Sequence, residues 1–396
     1  MSGCCPGVQV GGAGKSCCPA APKTAEAAPM GELLQGQHLG SDHDAVKASV
    51  QQYYGQELHS SSDLKTAACT SCKAPPPEIR AHLKDVPQEI KDRFYGCGTP
   101  LPLGITGLRV LDLGCGTGRD CYVAARLVGE SGSVTGVDMT PEQLAVARKY
   151  VDSYTAQVLR YAKPNMRFVQ GTIEKLEGIA DASQDLIISN CVINLSPDKA
   201  SVLREAYRVL APGGEMYFSD VYCDRRLPKE LRTHPVLLGE CLGGALYIND
   251  FLRLAREVGF TDPRSLEAEP IAINDAELAG AVGEAKFFSI TYRLFKIPGR
   301  LETLCEDYGQ VAVYKGTLPG HKHAYALDDH HRFIANKPML VCGNTASMVE
   351  ETWLKPHFIV TGNRDVHYGQ FDCGTPVTLS SQPAGGAACA PGGACC

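Results

Sequence analysis

A glycine-rich turn between a predicted strand and a predicted helix constrains the fold of this chain more than any other feature. Residues 109–113 form a short apolar run, which predicts a buried strand, and residues 119–127 can form the helix that follows. The turn between them contains Asp112, Gly114, Gly116 and Gly118. Glycines in such a turn let the backbone approach a ligand without side chains in the way. The turn therefore predicts a ligand-binding α/β domain.

The alternation of strand and helix continues to about residue 219. Further strands are predicted at residues 133–138, 166–169, 185–189 and 215–219. Between them, Thr140 and Gln143 have the spacing of a capping box around Pro141, and a second helix is predicted from Ser196 and Pro197 to Leu210. This order predicts a parallel, doubly wound α/β sheet with crossover helices.

Composition and charge exclude several classes of protein. The formal net charge is −6 and there is no run of Lys or Arg, which argues against a nucleic-acid partner. No stretch approaches the ~20 apolar residues of a membrane span, and the N-terminus lacks the features of a signal peptide. We therefore expect a soluble, cytoplasmic protein, and we expect it to be a monomer. Most of its 18 cysteines should then be free thiols.

Polar residues after the predicted strands suggest what the glycine turn binds. Asp138 ends the second strand, roughly 20 residues beyond the turn, where a carboxylate can accept hydrogen bonds from ribose hydroxyls. Thr172, Ile173 and Glu174 follow the third strand, where an adenine amino group would lie, and Asn190 closes the fourth. The alternatives are a dinucleotide site or a turn that binds nothing, but the spacing G-x-G-x-G differs from that of dinucleotide sites.

This arrangement resembles the class I methyltransferases. The segment RVLAPGGEMYFSD, residues 208–220, is similar to that family as well. The resemblance implies a Rossmann-like fold, and it implies S-adenosylmethionine as the cofactor.

Cysteines occur where this fold would place the transferable methyl group. In open α/β sheets ligands lie beyond the carboxyl ends of the strands, and Cys191 directly follows the fourth strand. Cys241 lies among three glycines in GECLGG, and Cys97 lies in YGCG. Cys69 and Cys72 precede the fold in a polar segment. Each thiol is either a buried, inert side chain or a soft ligand directed at the cofactor.

The motifs YGCG, DLGCGTGRDCY, GVDM, IEKL, SNCVINLSPDK, FSDVY and GECLGGALY together resemble the arsenite methyltransferases. The resemblance runs from about residue 64 to residue 300. It implies that Cys191 and Cys241 bind trivalent arsenic, and that Cys97 and Cys69 complete the active set, with Cys72 as the alternative to Cys69. Tyr95 of YGCG and Met139 of GVDM complete the predicted cofactor site.

The resemblance also implies a mechanism. Thiolates are natural ligands of a soft ion, and three of them would leave the arsenic lone pair free to face the methyl group. Methylation oxidises arsenic, and a disulfide between Cys97 and one arsenic ligand would return two electrons, to be reset by glutathione or thioredoxin. The alternatives are a methyltransferase for an organic acceptor and an arsenic-sequestering protein on the same fold.

The resulting domain prediction has five parts. Residues 1–40 and 377–396 are predicted to be disordered Cys-rich tails. Between them we predict a methyltransferase domain at 41–230, an arsenic-binding region at 231–296 and a small α+β domain at 297–376. Cys115 and Cys121 are interpreted as structural, and no role is predicted for Cys305, Cys342 and Cys373. The histidines 321, 323, 330 and 331 are interpreted as an exposed loop.

Overall fold

The order of five parallel strands determines where this fold can bind a ligand. The computed structural model describes residues 43–54 and 74–373. The five strands are β1 (Arg109–Leu113), β2 (Ser133–Asp138), β3 (Met166–Gln170), β4 (Gln184–Asn190) and β5 (Leu210–Cys223). They lie in the order β3-β2-β1-β4-β5, so the direction of winding reverses between β1 and β4. The predicted parallel, doubly wound sheet is confirmed, and a crevice is expected at this reversal.

Three later strands extend the same sheet to eight. They are β6 (Leu246–Tyr247), β7 (Arg264–Ile271) and β8 (Phe287–Phe295). β8 runs antiparallel between β5 and β7, and β6 pairs with the end of β5. Residues 231–296 therefore belong to the same sheet as the residues before them. Nearly every side chain of β8 is buried, so both faces of this strand are packed against other elements. The domain bounds stay a prediction.

Short helices cover the sheet and its edges. They are α1 (His43–Gln52), α2 (Pro77–Leu83), α3 (Gln88–Asp92), α4 (Arg119–Val128), α5 (Pro141–Lys149), α6 (Val151–Tyr154), α7 (Lys199–Val209), α8 (Lys229–Arg232), α9 (Pro235–Gly239), α10 (Ile248–Val258), α11 (Ala276–Val282) and α12 (Gly343–Glu350). A π-helical turn spans Thr155–Leu159, and 3₁₀ turns span Ile193–Leu195 and Lys355–His357.

The helix predicted from Ser196 to Leu210 is corrected at both ends. The helix predicted from Ser196 begins at Lys199, where the Asp198 carboxylate accepts a hydrogen bond from the Ser201 N–H. It ends one residue earlier than predicted, because Leu210 already belongs to β5.

The C-terminal part contains small antiparallel pairs. Its strands are β9 (Glu306–Asp307), β10 (Gln310–Tyr314), β11 (Ala324–Ala326), β12 (Arg332–Ile334), β13 (Pro338–Val341), β14 (Phe358–Thr361) and β15 (Gly369–Gln370). β10 lies between β13 and β14, β11 pairs with β12, and β9 pairs with β15.

Two buried arginines join this part to the central sheet. Arg293 on β8 donates to Glu215 on β5 at 2.7 Å and to the Tyr325 hydroxyl at 2.7 Å. Arg264, the first residue of β7, donates to Asp328 at 2.8 Å. Both guanidinium groups are paired, as buried charges must be. Within residues 43–54 and 74–373, no helix has the length and apolar character that a membrane crossing requires.

Candidate active site

A pocket of about 990 Å³, including space open to solvent, lies at the reversal between β1 and β4. Its walls come from the carboxyl ends of β1 to β4, where the sequence predicted the cofactor. The predicted cofactor residues that line it are Tyr95, Asp112, Gly114, Gly116, Asp138, Met139, Thr172, Ile173, Glu174 and Asn190.

Gly118 is the one predicted cofactor residue that is not among the lining residues. It caps the N-terminus of α4 with a φ of +86°, a conformation that favours glycine. A Cβ atom there would lie 2.7 Å from the Phe168 ring. Gly118, the third glycine of the motif, thus allows α4 to pack closely on the sheet and does not line the pocket.

The carboxylate of Asp138 is held by backbone N–H groups at the end of β2. One oxygen accepts from Gly116 at 2.8 Å, and the other accepts from Thr140 at 2.8 Å. Burial raises the pKa of Asp138, while these two N–H groups favour the ionised form and oppose the rise. A carboxylate has about four lone-pair positions, so two acceptor positions stay available for ligand hydroxyls.

The capping box predicted at Thr140 is wrong, and the reason concerns the site. Thr140 makes no side-chain cap, and the Gln143 side chain instead donates to the Tyr54 carbonyl at 2.8 Å. A second amide, that of Gln51 on α1, donates to the Met139 carbonyl at 3.3 Å. The two amides fix the end of α1 against the β2 side of the pocket.

Residues of α1 and the turn after it therefore belong to the site, which sequence reasoning missed. Lys47, Val50 and Tyr54 line the pocket, and Lys47 forms an ion pair with Glu174 at 3.3 Å. Glu174 also accepts from the Ser196 hydroxyl at 2.7 Å. The sequence of α1 carries no signal of a ligand, because contact with the pocket depends on where the helix docks.

Asn190 connects the end of β4 to the YGCG loop. Its side chain accepts from the Gly98 N–H at 3.1 Å and donates to the Gly98 carbonyl at 2.9 Å. A Cβ atom on Gly98 would lie 2.3 Å from the Ser219 hydroxyl, so only glycine permits this approach. The close contact brings Cys97 next to Cys191.

Three of the four predicted active cysteines converge beside the pocket. Cys97 and Cys191 form a disulfide, with Cα atoms 5.8 Å apart. The thiol of Cys241 donates to the Cys191 carbonyl at 3.0 Å, and all three residues are almost fully buried. Cys191 also lines the pocket, and its carbonyl is the group that Cys241 contacts.

Both predicted arsenic ligands have unusual backbone conformations. The φ angle is +58° at Cys191 and +64° at Cys241, a region that non-glycine residues seldom occupy. Residues held in this way persist only where the surroundings fix them, and they concentrate at functional sites.

A glycine of GECLGG holds the loop that carries Cys241 in place. A Cβ atom on Gly244 would lie 1.9 Å from the Asn194 carbonyl oxygen, so the backbone of this loop rests directly on the turn after β4. Cys241 is thereby held against the turn that carries Cys191. Cys69 and Cys72, like the tail cysteines, lie outside the described residues.

The chain is similar to known proteins. Residues 106–259 match a family model described as a methyltransferase domain. An arsenite methyltransferase of Aquipseudomonas alcaligenes is 55% identical over 339 residues, which make up 85% of this chain and 97% of that relative. The chain belongs to the arsenite methyltransferase family.

Two further members of the family support the assignment. An arsenite methyltransferase of Mus musculus is 44% identical over 323 residues, covering 81% of this chain and 85% of that relative. A crystal structure of an arsenic(III) S-adenosylmethionine methyltransferase from Chlamydomonas reinhardtii is 72% identical, with a TM-score of 0.74. It covers 76% of this chain and 100% of that one.

In this member of the arsenite methyltransferase family, buried charges lie beside the thiols. The side-chain ligand atoms of Asp220, Cys191 and Cys241 are within 4.8 Å of one another. Burial raises the pKa of Asp220 to about 7, and burial lowers the pKa of Lys199 to about 8. Sequence reasoning missed both, although they belong to the quoted motifs FSDVY and SNCVINLSPDK.

Other cysteines and histidines differ in position. Cys121 is buried and its thiol donates to Asp112 at 3.1 Å, in keeping with the structural role predicted for it. Cys115 lines the pocket, and burial raises the pKa of its thiol to about 11. The exposed-loop interpretation is wrong for His331, which is buried and hydrogen-bonded to Asp328 at 2.8 Å.

Proposed function

We propose that this protein transfers methyl groups from S-adenosylmethionine to trivalent arsenic, first to arsenite and then to methylarsenite. The observation that carries the proposal is the convergence of Cys191 and Cys241 at the edge of the cofactor pocket, in a chain of the arsenite methyltransferase family. Methyl transfer to arsenic needs soft ligands next to the methyl donor, and this arrangement provides them.

The pocket suits the cofactor. Bound S-adenosylmethionine supplies a methyl group on a positively charged sulfur. Asp138 would hold ribose hydroxyls with its remaining acceptor positions, and Gly114 and Gly116 let the backbone approach without a side chain. Thr172 and Ile173 would border the adenine, and Tyr95 lies on the side of the pocket near the thiols.

Cys191 and Cys241 would bind arsenic as thiolates and orient it. Trivalent arsenic forms three bonds in a pyramid, which leaves a lone pair opposite its ligands. Because both cysteines are fixed by their loops, the lone pair can be directed toward the pocket without further ordering. Such positioning replaces acid–base chemistry and can account for several kcal/mol of the barrier. A third sulfur, from Cys69 or Cys72, would complete the coordination of inorganic arsenite.

The pair Cys97 and Cys191 would supply electrons. The arsenic lone pair would form the new As–C bond while the bond from the methyl carbon to the cofactor sulfur breaks and leaves its electron pair on that sulfur, so that arsenic becomes pentavalent. Two thiolates can then give two electrons to arsenic and become a disulfide, and the structure holds these two residues in that bonded state. An external dithiol or two molecules of glutathione would reduce the disulfide and free Cys191 for the next arsenic. We propose glutathione or thioredoxin as this reductant, and we propose that the protein acts as a cytoplasmic monomer.

One assay tests the proposal. The chain is incubated with methyl-labelled S-adenosylmethionine and thiol, with and without arsenite. We expect labelled methylarsenic species only when arsenite and thiol are both present. Label on an organic acceptor without arsenite, or arsenite binding with no use of the cofactor, would each contradict the proposal.

A further inference from the structure

A second group of thiols lies in the C-terminal part of the chain. The sulfur atoms of Cys305, Cys342 and Cys373 are within 4.8 Å of one another. Three sulfurs bound to one ion in a pyramid by bonds of ~2.3 Å lie about 3.5 Å apart, so shifts of roughly 1 Å would let these three share a ligand. The group has no part in the mechanism described above.

Separate elements bring these three cysteines together. Cys342 is the N-cap residue of α12 and is fully buried. Cys305 precedes β9 and Cys373 follows β15, and these two short strands pair with each other. The pairing continues past the strand ends, since the Phe371 N–H donates to the Cys305 carbonyl at 2.8 Å. Cys305 and Cys373 are each partly exposed, which leaves a path from solvent to the group.

The surroundings of Cys342 favour a thiolate. Its sulfur accepts from the Thr345 N–H at 3.4 Å, at the N-terminus of the eight-residue helix α12. Arg264, which is nearly buried, donates to the same sulfur at 3.9 Å. A hydrogen bond from Cys305 lowers the pKa of Cys342, and Arg264 lowers it further. The Thr345 N–H and the Arg264 guanidinium would stabilise the thiolate form in which Cys342 binds an ion.

The number of donors separates possible ligands. A structural zinc site takes four ligands, in most cases sulfur or nitrogen. Within the described residues this group offers three donors, all sulfur. Three sulfurs suit an ion that forms three bonds in a pyramid, and trivalent arsenic is such an ion.

We propose that Cys305, Cys342 and Cys373 form a second binding site for trivalent arsenic, separate from the cysteines that present arsenic to the cofactor. Three As–O bonds of arsenous acid break and three As–S bonds form. Two hydroxide groups leave as water with the protons of Cys305 and Cys373. The third leaves as water with the proton of Cys342. No electrons are transferred. The inference shares its ligand with the proposed function but does not depend on methyl transfer.

The test counts arsenic in a chain whose catalytic site is disabled. The full chain carrying Cys191→Ser is reduced with a phosphine, mixed with arsenite and freed of excess by gel filtration. Arsenic per chain is then measured by mass spectrometry. Adding Cys373→Ser or Cys305→Ser should remove about one arsenic per chain, since two sulfurs hold the ion less well than three. All other cysteines are common to the variants, so the difference isolates this group.

Cys223→Ser in the same background is the matched control. Cys223 is a free thiol outside both groups, so its loss should leave the arsenic count unchanged. Cys373 and Cys305 are preferred to the buried Cys342, whose loss would also remove a helix cap. An unchanged count in Cys373→Ser and Cys305→Ser would overturn the proposal. The proposal would also be overturned if the untreated protein contained one zinc per chain and Cys373→Ser removed it.

Two further readouts keep this result separate from the proposed function. Trp353, the single tryptophan, packs against the core of the C-terminal part. Arsenite should change its fluorescence in Cys191→Ser, and Cys305→Ser should abolish that change. Cys373→Ser alone should methylate saturating arsenite within about twofold of the wild-type rate. If the wild type fails to methylate arsenite while the arsenic counts are as expected, only the proposed function is rejected.

Discussion

The two groups of cysteines in this molecule are held in different ways. Cys191 and Cys241 have left-handed φ angles and lie in loops that pack against each other through glycine. Cys342 has an ordinary φ of −69° as the cap of a helix. Left-handed backbone at a non-glycine residue costs on the order of 1–3 kcal/mol, which the surrounding packing must offset.

The difference indicates two uses of the same chemistry. The strained pair lies at the edge of the cofactor pocket, where arsenic must face a methyl group with a fixed orientation. The relaxed group lies in the C-terminal part, where its residues need only retain an ion. The proposed ligand atom is sulfur in both groups. The orientation of the arsenic relative to the cofactor would therefore distinguish a site that methylates arsenic from a site that retains it.

The largest expected effect is the loss of a ligand in the strained pair. Cys191→Ser and Cys241→Ser should each lower methyl transfer to arsenite and to methylarsenite by roughly 1,000-fold or more, about 4 kcal/mol. A hydroxyl is too weakly acidic to replace a thiolate. The measurement is initial rate with labelled cofactor. Cys373→Ser is the control, and equal losses in all three variants would remove the distinction between the groups.

Backbone placement should matter nearly as much as the thiols. In Gly244→Ala the new Cβ would lie 1.9 Å from the Asn194 carbonyl, so the loop that carries Cys241 must shift. We expect a loss of methyl transfer of roughly 100-fold, since a shift of about 1 Å has effects of this size. Cofactor affinity, measured by calorimetry, should be kept because this loop does not line the pocket.

Gly280→Ala is the matched control for that substitution. Gly280 lies within α11 with no atom near the added Cβ. Alanine there should raise the free energy of unfolding by about 0.5–1 kcal/mol and leave activity unchanged. A Gly244→Ala enzyme with normal activity would show that glycine is not what fixes Cys241.

Loss of Cys97 should separate the two substrates. Inorganic arsenite offers three bonding positions, and its methylated product must be reduced before a second methyl group can be added, whereas methylarsenite has two positions that Cys191 and Cys241 can fill. Cys97→Ser should therefore lower the rate of methyl transfer to arsenite by roughly 50-fold, about 2.3 kcal/mol. Its rate on methylarsenite should stay within about threefold of the wild-type rate. Equal losses on both substrates would contradict this division of labour.

Asp138 and Glu174 should affect the binding of the cofactor and leave the arsenic ligands in place. Asp138→Ala should weaken cofactor binding by about 1.5–3 kcal/mol, because an ionised acceptor is lost from a buried position. Glu174→Gln should lower the cofactor affinity less than Asp138→Ala does, since the Glu174 carboxylate already interacts with Lys47 and with the Ser196 hydroxyl. Calorimetry that finds Asp138→Ala unchanged would remove Asp138 from the site.

Local patterns were sufficient for part of the site. The bounds of β1 and β2 were predicted to the residue, because each is a short buried run ended by glycine or an acidic side chain. The capping box at Thr140 failed because Gln143 found a partner on α1, far away in the sequence. β8 could not be placed in the sheet from its sequence, because a strand buried on both faces has no periodicity to show its neighbours.

By itself, therefore, the sequence determined the parallel sheet, the cofactor turn and the family, since these depend on the order of residues along short segments. Only the tertiary structure decided which distant side chains meet. It brought α1 over the pocket, placed Asp220 beside Cys241, and joined Cys305 to Cys342 and Cys373 through the pairing of β9 with β15. The physical reason is that such contacts arise from the packing of whole elements, and the residues that meet leave no local pattern.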